Sequence, residues 1–595
     1  MAWRTEKNNQ SIDIVIDGFE KGIADNPYDG IADMRNINLL SIPKEAAVGF
    51  ATSAITLPPA VNAIAFTCTD ATNIITVAST TGYYAGMAII INTVSGGTGL
   101  SATSGQNTYY IDNITATTFK VYNDLTASVL VDITANGTGT LSTAQFGTPV
   151  DSVRGYGTTL SFTSGQPVQQ IYILDNAGLV WALGNHYGGS TVDTVLQFCG
   201  NTNHTTLTNT ASVGITIFKD YLLVFLQDKI DYINLSTKLS STPGPNGNWH
   251  IAWQTTTTSS AGHKAIAATD DAVYFCNATT IGSILENAGS TFDPNTASTY
   301  TYNASALQLP TYDYAKSIAQ LGTNLLIGGI LNYVYPWDRI STSFNYPLIV
   351  AEPYIKNIVS TNANAYIFAG NRGRIYITNG ANVQMFKKFP DQLSGTDNPY
   401  YAWGDAVYLR NQLYFGISAT TNAAATISNF AGVWAIDLDN EYLYLSNSLS
   451  YGTYAGTVPV LVPMSLPNPN GNGLFIGWLN STGGIDVGST SPYTNYEAYI
   501  DTDMIPVGTY YQPMTDQQIE YKLAKPLVSG ESVRIAWRGN LYVSFTTVFT
   551  DSTVGGISGV GQVNFQKQQW VQLRISLSST ASTPSYTRLR EVRMR

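Results

Sequence analysis

Four histidines, His186, His204, His250 and His263, are the first residues to test for metal binding or proton transfer. No two stand in an HxH or HxxxH arrangement, and none has a Cys or Asp neighbour at ligand spacing, so they read as structural or surface histidines. Three cysteines, Cys68, Cys199 and Cys276, are far apart and odd in number, which fits neither a disulfide framework nor a zinc site. Paired carboxylates could cleave a glycosidic bond if held within about 5–10 Å of each other. The candidates are Asp270 with Asp271, Asp437 with Asp439, and Asp501 with Asp503. The first pair stands just before a strand, where Asp is an ordinary turn residue. The run DLDNEY, Asp437 to Tyr442, alternates oxygen-bearing side chains as a Ca²⁺ loop would. It lacks the glycine and the distal bidentate Glu of an EF-hand, so it reads as a β-turn. No nucleophile elbow, Walker loop, dinucleotide fingerprint or sialidase-type Asp box occurs. The expectation is no enzyme, no cofactor and no metal.

The rest of the chain must position interfaces instead of a reaction centre. Hydrophobic residues make up 44% of the 595 and charged residues only 12%, with Thr, Ser, Asn, Gly and Tyr in their place. Thr and Tyr suit half-buried pleated surfaces and Asn and Gly supply turns, so many short strands are expected and helical bundles are not. A net charge of −11 argues against a nucleic-acid coat but leaves room for a channel through which DNA merely passes. The 38 tyrosines, with doublets at Tyr83–Tyr84, Tyr109–Tyr110 and Tyr400–Tyr401, fit strands first and subunit interfaces second. The start, MAWRTEKNNQ, has no apolar core of a signal peptide, and no apolar run approaches the roughly 20 residues of a membrane-spanning helix.

Four regions separate on pattern. Residues 1–53, dense in Gly and Pro, form an extended N-terminal strap. Residues 54–145 read as a small inserted β-module, with NIITV, GMAIIINTV, NTYYIDNI, TTFKVY and VLVDIT as strands and ANGTGTLST as its boundary. Residues 146–490 carry a degenerate repeat of strand, polar turn and strand. Its anchors are Ile171, Tyr221, Ala272, Asn324, Ala365, Gln412 and Gly473, spaced by 50, 51, 52, 41, 47 and 61 on subtraction. Such periods mark propeller blades, since a lone four-stranded blade leaves both faces wet and a ring of blades buries each against the next. The fold class is therefore all-β, with a six- or seven-bladed propeller; a run of unrelated hairpins in two sandwiches is the competing arrangement. Residues 491–595 read as a C-terminal β-sandwich with long Gly/Ser loops such as TVGGISGVGQ. Its last strand, TRLREVRMR, places Arg588 and Arg590 on one face and Arg593 and Arg595 on the other. That strand serves either to dock on an acidic neighbour or as a charged edge that discourages pairing.

Two segments resemble bacteriophage virion families. Gly22, Ile23, Asn26, Pro27, Gly30, Asn36, Pro43, Lys44 and Glu45 follow an order similar to the N-terminal region of tail nozzle or hub proteins of short-tailed phages. Gly99–Leu100, Thr108 to Tyr110, Thr115 to Lys120 and Gly137 to Thr140 resemble a small β-module common in phage tail proteins. The resemblance implies a virion protein assembled in the host cytoplasm, forming a ring, a hexamer by analogy, at the distal tail. It would contact tail adaptor and fibre proteins and let phage DNA pass on ejection. Gly22, Asn26, Pro27, Gly30, Asn36, Pro43, Arg588 and Arg590 become candidate docking residues. The rivals are a receptor-binding fibre or adhesin for host surface glycans, a glycan depolymerase, and a tip protein of a long-tailed phage.

Overall fold

The computed structural model describes residues 4–8, 11–16, 31–35, 37–38, 46–103, 107–123, 129–157, 168–184, 197–198, 212–235, 249–256, 265–269, 271–389, 392–393, 396–397, 400–409, 411–420, 426–439, 441–448, 457–463, 474–479, 484–492, 498–502, 504–509, 512–513, 517–540, 543–565, 568–580 and 587–595. Apart from two 3-10 turns, Asp70–Thr72 and Ala297–Thr299, every regular element among them is a strand.

Seven antiparallel blades follow one another along the chain. Blade 1 runs outward from Pro149–Gly157 through Val168–Asp175 and Val180–Gly184 to Gln197–Phe198, and blades 2 to 5 repeat the plan from Ser212–Phe218, Ala265–Thr269, Ala315–Leu321 and Ile355–Ser360. Blade 6 is Tyr400–Leu409, Gln412–Thr420, Thr426–Asp437 and Tyr442–Ser448. Blade 7 takes Thr457–Pro463, Leu474–Leu479 and Gly484–Pro492 from late in the chain and its outermost strand, Phe50–Ala54, from the N-terminal arm. Each innermost strand lies against the next, and Thr457–Pro463 returns to Pro149–Gly157, so the ring is closed. The repeat anchors mark the second strands. Tyr221–Leu226, Ala272–Asn277, Asn324–Gly329 and Ala365–Ala369 are buried almost throughout, because both of their faces are covered by neighbouring blades.

All seven innermost strands slip register against their second strands. An extra residue there adds local twist and re-aims the side chain that follows. In three blades that side chain reaches the next one. Asp151 accepts from the Ile215 amide at 2.9 Å, Ser317 donates to the Ile355 carbonyl at 3.4 Å, and Asn357 donates to the Gly404 carbonyl at 3.2 Å.

The N-terminal arm is sewn into the rest. Ile31–Arg35 bridges the outer strand of blade 6 to Ala498–Thr502, so blade 6 and one sandwich sheet form a single ten-stranded sheet ending in Thr546–Asp551. Arg4–Asn8 and Ser11–Ile16 join Arg588–Met594, Gln517–Leu523 and Ser558–Val563 in the opposing sheet. One apolar core runs through the junction, from Phe389, Trp403 and Trp434 to Met34, Ile500, Tyr521 and Met594. Two sequence expectations change here. Arg588–Met594 is an interior strand, paired on both sides, not an edge. Its register skips a residue beside Lys522 and Leu523, so Leu589, Val592 and Met594 share the buried side, and Arg588 and Arg593 fall together instead of on opposite faces.

Residues 64–143 close a six-stranded barrel around Ile75, Ile89, Ile91, Phe119, Val121 and Leu141. VLVDIT forms only an isolated bridge, Tyr122 to Leu130, whereas Ile64–Thr69 and Gly137–Thr143 supply strands. Gly139 sits in that last strand because a Cβ would strike the Thr93 carbonyl and the Phe66 ring. Ala88 and Tyr110 of the barrel pack with Ile171 and Trp181 of blade 1, which seats the barrel on the propeller.

Candidate functional site

At one end of the propeller, the described residues leading into blades 4, 5 and 6 meet the hairpins between second and third strands. Through blades 3 to 6 the two are laced by backbone hydrogen bonds: Ala315 to the Ala278 carbonyl at 2.9 Å, Ile330 to Tyr314 at 3.1 Å, Tyr354 to Ile330 at 3.0 Å, and Tyr401 to Asn371 at 2.8 Å. Buried carboxylates lock the lead-in to the hairpin in blades 4 and 5. Asp313 accepts from the Leu331 amide at 3.0 Å and from the Tyr335 hydroxyl at 2.8 Å. Glu352 accepts from the Arg372 amide at 3.1 Å and from the Tyr376 hydroxyl at 2.9 Å. In blade 1, Asp175 takes the Gly147 amide at 3.1 Å and the Trp181 indole at 2.9 Å. Burial raises the Asp175 pKa, with Trp181 and the backbone donors pulling against it. The aromatic donor stands on the third strand each time, so the clamp is a repeated feature of the fold.

Above these clamps lies a group of aromatic, apolar and cationic side chains. Tyr312 is 81% exposed and Tyr354 65%, with Tyr314, Leu331 and Ile349 beside them. Lys316 and Lys356 occupy the extra positions of the slipped registers in blades 4 and 5, and Arg372 is exposed on the adjoining hairpin. Burial holds the Lys316 pKa below its ordinary value, and the charge of Lys356 adds to the effect. Tyr354 has φ +59°, left-handed backbone that a bulky residue adopts only under constraint. Tyr354→Gly is therefore expected to stabilise the fold by about 1 kcal/mol, read from the denaturant midpoint. A loss of stability would show that the ring holds the backbone rather than straining against it.

A second aromatic cluster stands beside His250, whose own surface is exposed. The loop between Thr280–Glu286 and Tyr300–Gln308 of blade 3 crosses to blade 2, where Phe292 enters among Phe218, Tyr221, Trp253 and Tyr300. His250 stacks on Tyr232 at 4.3 Å, and burial lowers its pKa. The Tyr221 hydroxyl donates to Asp293 at 3.2 Å. Burial first, then the Asp293 charge, pushes the Tyr221 pKa up to about 12. A phenol whose folded pKa lies above its unfolded value stabilises fully below the unfolded value and loses that contribution as pH rises to the folded one. Unfolding stability should thus fall between pH 10 and about 12, and Tyr221→Phe should flatten that part of the profile. An unchanged slope in the variant would rule Tyr221 out as its source.

The remaining sequence candidates disperse. Asp437 accepts from the Asp439 amide at 3.1 Å, as in a plain turn. Asp501 is ion-paired with Arg574 at 2.6 Å. Asp271 is exposed at a turn, and Cys68 and Cys276 are buried in different cores. His186, His204, His263, Cys199, Asp270, Asp503, Gly22, Asn26, Pro27, Gly30, Asn36 and Pro43 lie outside the described residues. No group of three His, Cys, Asp or Glu side chains that could hold a metal occurs among the described residues. Arg588 is half-buried and Arg590 exposed; Arg593 pairs with Glu591 at 3.1 Å and Arg595 with Glu520 at 3.6 Å. On the barrel, Thr67, Thr76, Thr93, Ser95, Thr138 and Thr140 line a groove of about 600 Å³. No helix among the described residues is long and apolar enough to cross a membrane.

What the sheets define is a class: an all-β protein built on a seven-bladed propeller, with an inserted barrel and a sandwich fused to blade 6. No family model and no curated protein matches the chain. Among solved structures it is similar to the β-propeller domain of Cps50 (Swd1) from Myceliophteria thermophila, at 12% identity over 58% of this chain and 97% of that one, with a TM-score of 0.37. At that score the likeness carries no argument, and the propeller rests on its own strand pairing.

Proposed function

We propose that this chain is a structural virion protein of a bacteriophage tail, a subunit of a ring (nozzle or hub) that closes and guides the DNA ejection channel. The observation that carries the reading is mechanical. Phe50–Ala54 completes blade 7, Ile31–Arg35 splices blade 6 to the sandwich, and Ser11–Ile16 pairs with the last strand of the chain. Blades 6 and 7, where the ring closes, cannot peel away without breaking a sheet that the N-terminal arm holds, which suits a part that confines DNA under pressure. The likeness of residues 99–140 to a tail-protein module supports the same reading, as does an acidic surface that would hold passing DNA weakly. Its partners are further copies of itself, a hexamer by analogy, with the tail adaptor and tail fibre proteins. Electron microscopy of phage particles carrying gold-tagged antibody against residues 54–145 tests it. Gold at the distal end of a short tail is expected; gold on peripheral fibres would sink the proposal.

The barrel groove favours a second reading, a receptor-binding adhesin for host glycans. Its hydroxyls, including the Thr93–Thr140 pair at 2.8 Å, could exchange hydrogen bonds with a sugar. A host-glycan screen in which Thr138→Val abolished binding would favour the adhesin; no binding to any glycan would remove it.

A further inference from the structure

We propose that the outer face of the barrel holds an uncharged, extended polysaccharide laid across its strands, one sugar to each strand. This names the ligand class of the glycan-binding reading above and rests on that reading. Ala88–Gly96, Gly137–Thr143, Ile64–Thr69 and Ile74–Thr76 are adjacent in the barrel in that order. Ser95 stands directly opposite Thr138, Thr138 opposite Thr67, and Thr67 opposite Thr76. Directly paired residues share a face, so one row of hydroxyls crosses all four strands. Ser95, Thr138 and Thr67 are exposed and Thr76 is half-buried. Among the described residues no side-chain hydrogen bond occupies these hydroxyls. In the neighbouring row, by contrast, Thr93 and Thr140 bond to each other at 2.8 Å.

The face rejects most other ligands. Residues 63–69, 74–78, 92–97 and 136–142 contain no Asp, Glu, Lys or Arg, so nucleic acid, acidic peptide and anionic lipid find no counter-charge. The barrel is closed and leaves no free edge to which a peptide strand could add. Ser, Thr, Gly and Ala also lack the Trp, Tyr and Arg anchors that dominate protein interfaces. Hydroxyls both donate and accept, which matches a ligand that is itself a string of hydroxyls. Spacing sets the ligand's shape. Neighbouring strands lie about 4.8 Å apart, so the row spans roughly 14 Å. That step is close to the advance of one pyranose ring along an extended, equatorially linked chain, which can therefore meet the row sugar by sugar. A helical chain would turn away after its first contacts. Phe66 lines the groove but is only 3% exposed, so the sugars meet hydroxyls and threonine methyls instead of an aromatic face.

Ligand-observed NMR titrations of the full chain with cellohexaose, chitohexaose, maltohexaose and a galacturonic acid hexamer test the assignment. Cellohexaose and maltohexaose share one sugar and differ in linkage, extended in the first and helical in the second. Cellohexaose or chitohexaose should bind, more tightly with chain length up to one sugar for each hydroxyl of the row and no further. Maltohexaose and the acidic hexamer should bind about tenfold more weakly or worse. Thr67→Val with Thr138→Val keeps side-chain shape and suits strands, so the melting temperature should hold. Its affinity should fall on the order of a hundredfold, about tenfold for each hydrogen bond lost. Thr138→Ser, which keeps the hydroxyl, should bind like the parent protein. Equal binding of maltohexaose or the acidic hexamer, or a double variant that binds like the parent, would overturn the assignment and leave the adhesin reading to its own screen. If none of the four binds, the assignment falls alone where the host-glycan screen finds a ligand, and the adhesin reading falls with it where the screen finds none.

Discussion

Arg574→Ala is expected to destabilise the protein by about 3–5 kcal/mol, the range for removing one partner of a buried ion pair. Asp501 is only 4% exposed and holds the guanidinium through two bonds, at 2.7 and 2.6 Å. Tyr499 and Phe545 cover the two faces of that guanidinium at 3.9 and 4.2 Å, and Phe545 meets Arg538 at 4.5 Å. Removing the arginine leaves a carboxylate buried without its counter-charge in the sheet that continues into blade 6. Lysine should rescue little, because it offers neither a planar fork nor a flat face to stack. The informative control is Asp501→Asn with Arg574→Met, which removes both charges and should recover most of the loss. Urea midpoints of the three variants decide the matter. If Arg574→Ala and the double variant lose equally, packing of the long side chain matters and the stranded charge does not.

What the sequence made legible follows from which residues the fold covers on both sides. Second strands such as YLLVFL and AVYFCN read as continuous apolar runs because neighbouring blades bury both faces, and their spacing exposed the propeller. The outermost strand of blade 7, FATSA, has no such signature, and it comes from before the barrel while its partner is Gly484–Pro492. GTGTLST looked like a boundary because glycine is rare in strands, yet the barrel wall needs glycine where Phe66 and the Thr93 carbonyl come close. The arginines of the last strand were assigned to faces by strict alternation, which one skipped residue beside Leu523 undoes. The carboxylate clamps were missed altogether. Asp313 and Tyr335 lie 22 residues apart and Glu352 and Tyr376 lie 24 apart, so no local motif links them. A usable signal does exist in blades 4 and 5: the carboxylate abuts a glycine at or just past the end of the second strand, Gly329 or Gly370, where a Cβ would collide with it.

Phe292→Ala should cost about 3–5 kcal/mol, and the damage should be confined to blades 2 and 3. Phe292 is 2% exposed, its ring 4.8 Å from Phe218, 5.6 Å from Tyr221 and 5.7 Å from Tyr300. Its amide donates to Glu286 at 3.0 Å, and Glu286 pairs with Lys219 at 3.4 Å, so the loop is held at both backbone and ring. Without the ring, the loop loses what seats Asp293 against the Tyr221 hydroxyl, and the link between the two blades loosens. Leucine at the same position keeps most of the volume and should cost less than about 1.5 kcal/mol. Amide hydrogen exchange separates local from global effects. Faster exchange across 212–234 and 272–308, with the barrel at 64–143 unchanged, is the expected result. Uniform acceleration over the whole chain would mean that the clasp holds the entire ring rather than one junction, and no acceleration would mean that the outer loop rides on blade 2 without securing it.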